Sequence, residues 1–296
     1  MFKVIIALSL FLSFSSSAQQ RIDIDYRYSL DSSAHFIGLF EELSKHKKVR
    51  ANGQEFDVSV SKNEHFVDVY FDTPSLRLFR NNSSLRFRQR FLNLNIFKKL
   101  IQYKVTNQDY SSGMIEKKIV LNPSEIISSG FELYKVLNSS SNLDSDLVRS
   151  ILLDGTNLDE LEEILRLNQL RNRIYLKNIT GETVYTITFD NILISKGLII
   201  EPYWIVEFEI NEKLFKKSKK QEKQKLIDNL INLISENFAN QAKLIKVDLN
   251  KYSYAVKKLK LDLFPENNSI FSGFIPLLAL VGLLLLFFTL RNKKLE

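Results

Sequence analysis

The chain has 296 residues, of which 45% are hydrophobic and 25% are charged, and this composition excludes a collagen-like, low-complexity or fully disordered protein. The absence of cysteine from the sequence excludes a disulfide scaffold, a thiolate metal site and thiol catalysis, and three scattered histidines offer no histidine-rich metal site or catalytic triad. A formal net charge of +7 favours an anionic partner.

The N-terminal segment 1–18 has the pattern of a secretory signal peptide. Lys3 precedes an apolar run at 4–14, and the small residues Ser16 and Ala18 stand at the positions that define a cleavage site. The apolar run is short for a membrane-spanning helix, so we predict that the segment is cleaved. An uncleaved N-terminal anchor is the alternative.

Seven segments of the body alternate polar and apolar residues with a period of two, which is typical of strands with two different surroundings. These segments are 21–28, 85–90, 101–106, 171–176, 186–190, 206–210 and 251–256. Helical periodicity predicts helices at 36–43 and 226–238 and two short helices within 144–167. The lysine-rich stretch 213–225 is most simply the solvated start of a helix.

Several of these strands carry charges of one sign on one face. Arg86, Arg88 and Arg90 alternate along one strand, Glu207 and Glu209 along another, and the opposite faces are aliphatic and aromatic. A sheet with one solvated face is the simpler interpretation. The alternative is a barrel with helices outside and a charged interior. Carboxylates in such an interior would bind a hard divalent cation, and arginines would grip a chain of phosphates.

The C-terminal segment 271–290 is an uncharged stretch of twenty residues, followed by a basic tail at 291–296. A helix of this length spans about 30 Å, the hydrocarbon thickness of a bilayer. We predict a transmembrane helix preceded by a stalk at 264–270, with a cytoplasmic tail and a main domain outside the cytoplasm. In a bacterium this location is the cell envelope. A buried core helix and a sorting signal that is later removed are the alternatives.

Two neighbouring stretches carry a family resemblance. Residues 70–78, Tyr-Phe-Asp-Thr-Pro-Ser-Leu-Arg-Leu, and 84–88, Ser-Leu-Arg-Phe-Arg, resemble the CYTH superfamily of triphosphate tunnel metalloenzymes. This superfamily includes inorganic and thiamine triphosphatases, some adenylate cyclases and, more distantly, polyphosphate polymerases. Further pieces agree in order: 23–27, 102–105, 171–173, the strand ending at Asp190, 206–210 and 251–254.

The resemblance implies an α+β fold over residues 19–263, an antiparallel β-barrel of about eight strands that forms a tunnel, with helices packed outside. It also implies two sets of site residues. The ligands of Mg²⁺ or Mn²⁺ would be Glu207, Glu209, Asp23, Asp25 and Glu116. The phosphate-binding residues would be Arg86, Arg88, Lys104, Arg171, Arg173, Arg27 and Lys251. We interpret Arg77, Arg80 and Arg90 as surface charges.

The opening motif departs from the family pattern. Where the family usually has Glu-x-Glu-x-Lys, residues 23–27 read Asp-x-Asp-x-Arg. Aspartate is one methylene shorter than glutamate, and arginine is not a neutral replacement for lysine. Lys118 also stands where a second acid would share a strand face with Glu116, which weakens metal binding and strengthens anion binding. These departures favour polyphosphate binding over fast hydrolysis.

These patterns together predict a membrane-anchored, extracytoplasmic, metal-dependent phosphohydrolase that acts on triphosphate or polyphosphate. A non-catalytic polyphosphate-binding module of the same fold is the alternative, so whether the protein is an enzyme stays open. A polyphosphate polymerase is disfavoured because its nucleotide donor is scarce outside the cytoplasm. Nucleic-acid binding is not expected, because the basic residues are predicted to face inward and no aromatic platform is recognisable.

Overall fold

The computed structural model of the chain describes residues 21–92, 94–106, 113–139, 142–143, 145–238 and 244–263. The predicted signal peptide, stalk, transmembrane helix and basic tail lie outside these residues. Within the described ranges, every helix is too short or too polar to cross a bilayer.

The described residues form ten strands and seven α-helices, with two single turns of 3₁₀-helix at Leu158–Glu160 and Leu261–Leu263. The strands are β1 (Arg21–Ser29), β2 (Lys48–Ala51), β3 (Gln54–Asp72), β4 (Ser83–Leu92), β5 (Asn95–Thr106), β6 (Gly113–Leu121), β7 (Glu162–Lys177), β8 (Thr183–Lys196), β9 (Ile199–Ile210) and β10 (Ile245–Lys246). The helices are α1 (Ser33–Lys45), α2 (Arg77–Arg80), α3 (Gly130–Leu137), α4 (Asp146–Leu153), α5 (Glu212–Lys217), α6 (Lys220–Asn237) and α7 (Lys251–Lys258).

Eight of the strands close into an antiparallel barrel. Their order is β1-β6-β5-β4-β3-β7-β8-β9, and β9 pairs again with β1, where Asp25 lies opposite Glu209. The short strands β2 and β10 are added outside the ring, on β3 and β1. The predicted barrel of about eight strands with helices outside is therefore confirmed, and the charged faces of its strands point inward.

The apolar core lies between the barrel and its helices. Helices α1 and α6 cover β8 and β9, where Phe36 and Phe40 pack edge-on against Phe189 at 5.8 and 5.2 Å between ring centroids. Helices α3 and α4 cover β4, β5 and β6, and α7 packs against β3, β7, β8 and β9. Since burial of aliphatic and aromatic area drives folding, the outer layers of α1, α3, α4 and α6 hold the barrel closed. Helix α7 differs, because its partners Tyr70, Leu167 and Ile192 lie on the same strand faces as Asp68, Arg171 and Asp190, so it fills one end of the barrel interior.

The segment 251–256, predicted as a strand, is the helix α7. The Asn250 side chain caps this helix by accepting a hydrogen bond from the Ser253 backbone N–H at 2.9 Å. Its buried residues Tyr252, Ala255 and Val256 are spaced three and four apart, so one sequence satisfies both a period of two and a helical period over six residues. The strand prediction is wrong because a segment this short does not separate the two periods.

The stretch 144–167, predicted as two short helices, contains one helix, a 3₁₀ turn and the start of a strand. Helix α4 begins after Ser145, whose side chain accepts a hydrogen bond from Val148 N–H, and Gly155 follows its end with φ +75°. From Glu162 onward the chain is β7, paired with β3. Here strand pairing with the long β3 outweighs a local helical pattern.

Candidate anion-binding tunnel

A cavity of about 100 Å³ lies inside the barrel and is lined almost entirely by polar and charged side chains. Eight of its lining residues are Arg or Lys and four are Asp or Glu, so positive charges are in excess by four. These charged residues are Arg27, Arg86, Arg88, Arg90, Lys104, Arg171, Arg173, Lys251, Asp25, Glu116, Glu207 and Glu209. The structure thus brings eleven of the twelve predicted site residues to one cavity. The twelfth, Asp23, pairs with Met114 on β6, and its side chain lies outside the described part.

Arginines of β4 are held by one buried carboxylate on β3. Arg88 donates from Nε and Nη2 to the two oxygens of Asp68, both at 2.6 Å, and Arg86 donates from Nη1 to Asp68 Oδ2 at 3.1 Å. Gln169 of β7 adds a hydrogen bond to the same oxygen at 2.5 Å. Burial raises the pKa of the Asp68 carboxyl, but the charges of Arg86 and Arg88 outweigh burial and bring it well below its usual range. Asp68 therefore fixes two arginines toward the cavity.

A second network joins β7, β8, β9 and the start of α7. Arg171 donates from Nε and Nη2 to the two oxygens of Asp190, both at 2.6 Å. Lys251 Nζ lies 2.5 Å from Asp190 Oδ2 and 2.7 Å from Glu207 Oε2. Burial raises the pKa of Glu207, but Lys251, Arg27 and Arg171 outweigh burial and hold it well below the ordinary value. Glu207 is therefore ionised and engaged by cations of the chain itself.

The opening strand β1 contributes Arg27 between two acids. Its Nη2 donates to Asp25 Oδ2 at 2.5 Å and its Nε to Glu207 Oε1 at 2.9 Å. On the neighbouring strands β5 and β6, Lys104 Nζ lies 3.1 Å from Glu116 Oε2. The arginine of the altered opening motif thus bridges two of the carboxylates on β1 and β9, namely Asp25, Glu207 and Glu209, which we call the acidic wall.

Several residues that shape the tunnel have no role in the sequence prediction. Asp68 and Tyr70 of β3 accept hydrogen bonds from the arginines, and Gln169 of β7 donates to Asp68. Asp190, noted only as a strand end, is fully buried between Arg171 and Lys251. The sequence contains one signal that could have identified Asp68 as a site residue. Asp68 is the only charged residue in the stretch 66–71, and a buried charge in a strand requires a partner.

The interpretation of Arg90 as a surface charge is wrong. Arg90 lines the cavity, since β4 continues its alternation beyond Arg88. Arg77 and Arg80 are exposed near Asp154, outside the tunnel, in agreement with their interpretation as surface charges.

The described carboxylates of the tunnel are not grouped as the ligands of a divalent cation would be. Among the described residues, no three acidic or histidine side chains come close enough together to hold a metal ion. Asp25, Glu116 and Glu207 each contact an arginine or lysine, and Glu209 accepts a hydrogen bond from the Thr188 hydroxyl at 3.2 Å. A divalent cation there would meet positive charges of the chain, so these carboxylates, as placed, do not fit Mg²⁺ or Mn²⁺.

Comparisons with known proteins point to one family. A family model described as the CYTH domain matches residues 41–226, which is more than half of the chain. No curated protein matches the sequence significantly. Among solved structures, a putative adenylyl cyclase from Hippeastrum, described as having a dominant triphosphatase activity, is 16% identical with a TM-score of 0.48 and covers 80% of this chain and 96% of its own.

Two further solved structures are also similar to this chain at low sequence identity. A putative adenylate cyclase from Bacillus halodurans is 16% identical with a TM-score of 0.46, over 73% of this chain and 91% of its own. The Pct1 RNA triphosphatase of S. pombe is 8% identical with a TM-score of 0.38, over 75% of this chain and 85% of its own. Identities and scores this low carry no functional argument, so the family model alone supports the assignment.

Proposed function

The chain belongs to the CYTH domain family, and from this membership and its charged tunnel we propose that it binds an inorganic triphosphate or polyphosphate chain inside the barrel. The observation that carries the proposal is the lining of one cavity by eight Arg and Lys residues against four Asp and Glu residues. A phosphate chain carries about one negative charge per phosphate and needs several cations along a line, as the tunnel provides.

The buried acids support binding because they orient the arginines without using all of their donors. A guanidinium has five N–H donors. Arg88 uses Nε and Nη2 for Asp68, and Arg171 uses the same two nitrogens mainly for Asp190. Among the described residues, Nη1 of each arginine has no hydrogen-bond acceptor and can donate to a ligand. Guanidinium groups held in this way lose little side-chain entropy when an anion binds.

Binding is tested by calorimetric titration of the full-length chain with tripolyphosphate. Arg173→Gln and Lys104→Gln each remove a lining cation, and we expect each to weaken binding about tenfold, as is typical for the loss of a charge-assisted hydrogen bond. Arg166→Gln is the matched control, because Arg166 is exposed on β7. Absence of tripolyphosphate binding by the unmodified chain, or an equal loss in the control, would contradict the proposal.

Metal-dependent hydrolysis of the bound chain is a second candidate. Proteins of this family generally use a divalent metal ion. The observation that favours hydrolysis here is the direct opposition of Asp25 and Glu209 on β1 and β9, both on the cavity wall. Since the described carboxylates do not fit the metal as placed, binding without turnover remains the first proposal.

Turnover is tested by measuring phosphate release from tripolyphosphate with Mg²⁺ or Mn²⁺. Hydrolysis by this site requires that Glu209→Gln abolish the release, while Glu41→Gln, an exposed acid of α1, leaves it unchanged. If no release is detected although tripolyphosphate binds, the protein is a binding module. If Glu209→Gln releases phosphate at the unmodified rate, catalysis does not use the acidic wall.

We also propose that the barrel lies outside the cytoplasm and is tethered by residues 271–290. The signal-peptide pattern at 1–18 and the basic tail at 291–296 support this orientation. The test is protease treatment of intact cells that express the full-length chain. A barrel digested only after the outer permeability barrier is opened supports the proposal, and a barrel found in the soluble cytoplasmic fraction contradicts it.

A further inference from the structure

Three basic residues lie together at one end of the tunnel. Arg90 of β4 pairs in register with Lys98 of β5. Lys118 of β6 pairs with Gln102, four residues from Lys98 along β5, and its charge still acts on Lys98. Arg90 lines the cavity and is half-buried, and both lysines are partly buried. We call Arg90, Lys98 and Lys118 the basic end.

The basic end differs from the rest of the tunnel in its partners. Every other basic lining residue contacts a carboxylate. Within the described part of the chain, Arg90, Lys98 and Lys118 make no ion pair, and the buried Nε of Arg90 has no hydrogen-bond partner. A buried N–H donor without an acceptor is costly, so an anion that accepts from the Nε of Arg90 would bind favourably here.

The positive charges at the basic end repel one another. Burial, together with Arg88, Arg86, Arg173 and Arg171, lowers the pKa of Arg90 to about 10. Burial, Arg90 and Lys118 likewise lower the pKa of Lys98. Arg90 stays charged at neutral pH, and a bound anion would relieve the repulsion that lowers these two pKa values.

The ring of Phe66 holds the arginines in place. The guanidinium carbons of Arg88, Arg171 and Arg90 lie 4.8, 5.2 and 5.4 Å from its centroid. Phe66 is itself 2% exposed, so the three groups share one rigid aromatic support. Arg88 and Arg171 belong to the two acid-bound networks, which makes Arg90 the continuation of the same row of cations.

We infer that Arg90, Lys98 and Lys118 form a further phosphate subsite that extends the bound chain beyond three phosphates, so that the tunnel prefers polyphosphate to triphosphate. This inference rests on the proposed function, since the subsite continues the proposed tunnel site. The recognition chemistry is that of arginine and lysine with phosphate oxygens.

The experiment compares two ligands by calorimetry on the full-length chain, namely tripolyphosphate and inorganic polyphosphate of medium length. We expect the unmodified chain to bind polyphosphate more tightly, and the double variant Arg90→Gln/Lys98→Gln to lose this preference. Its affinity for polyphosphate should fall about tenfold or more, and that for tripolyphosphate should stay within about twofold. The control Arg80→Gln/Lys257→Gln removes the same charge from exposed positions and should change neither.

Thermal unfolding without ligand provides a second readout. Because the double variant removes mutually repelling charges, its melting temperature should equal or exceed that of the unmodified chain. A lower melting temperature would show that these residues stabilise the fold, which overturns the inference.

The outcomes separate the inference from the proposed function. If the unmodified chain binds neither ligand, the proposed function fails and the inference fails with it. If it binds tripolyphosphate without preferring polyphosphate, or if the double variant loses affinity for both ligands equally or for neither, the inference alone is overturned.

Discussion

Lys251 donates to the Glu207 carboxylate at 2.7 Å and so ties the first residue of α7 to the acidic wall on β9. The same ammonium lies 2.5 Å from Asp190. Both acids are buried, and the helix packs on the tunnel-facing side of the strands that carry them. One lysine therefore links the position of a helix to the charge balance of the tunnel.

Removing this lysine should destabilise the fold. Lys251→Ala leaves two buried carboxylates with fewer cations, although Arg27 and Arg171 remain beside them. We expect the free energy of unfolding to fall by about 2 kcal/mol or more, the cost typical of breaking a buried ion pair. Urea denaturation measures this change, and Lys257→Ala, at an exposed position of the same helix, is the control. Equal denaturation midpoints for the two variants would disprove the linkage.

Asp68 should make stability depend on pH in the acidic range. Its folded pKa lies below the ordinary value of 3.8, so its contribution is fully present above that value and is lost as the pH falls through the folded pKa. Asp68→Asn should therefore reduce the free energy of unfolding by about 3 kcal/mol at pH 7, and by progressively less as the medium becomes acidic.

Denaturation curves at neutral and acidic pH measure this dependence. Asp57→Asn, at an exposed position of the same strand, should have little effect at either pH. A constant difference between Asp68→Asn and the unmodified chain at both values would show that the ion pairs of Asp68 do not contribute.

Two glycines should respond to alanine in opposite directions. A Cβ at Gly130 would lie 1.8 Å from the Leu161 carbonyl oxygen, so Gly130→Ala must displace the backbone that leads into β7. A Cβ at Gly38, exposed within α1, would meet nothing within 4 Å. We expect Gly130→Ala to lower the melting temperature and Gly38→Ala to stabilise by about 0.5–1 kcal/mol. Thermal denaturation measures both changes. An unchanged melting temperature in Gly130→Ala would contradict the close approach of Gly130 to the Leu161 carbonyl.

Tripolyphosphate binding should persist when metal is removed. The chain's own cations already engage the acidic wall, as Arg27 does between Asp25 and Glu207, so a divalent ion is not needed to balance it. Calorimetric titration in excess EDTA should give an affinity within about threefold of that in Mg²⁺, a difference below 1 kcal/mol. Loss of binding in EDTA would show that the carboxylates rearrange to hold a metal.

The period of two identified some strands of the barrel and missed others. The strands β4 and β9 were readable because one face is charged and the other apolar. The long β3 was not, because both of its faces are buried near the site: Phe66 and Tyr70 face the tunnel while Val69 and Phe71 face the helices. Period-two polarity is lost when both sides of a strand exclude water.

The amino-acid sequence by itself determined which strand faces carry charge, that helices lie at α1 and α6, and which cations and acids were candidates for the site. Only the tertiary structure decided that Asp68 orients the arginines of β4 and that Lys251 reaches Glu207 from a helix. It also decided that Arg90 lies inside the tunnel, where none of the described acids pairs with it. The reason is that side-chain neighbours in a barrel depend on the register between strands far apart in the chain, and no local pattern encodes that register.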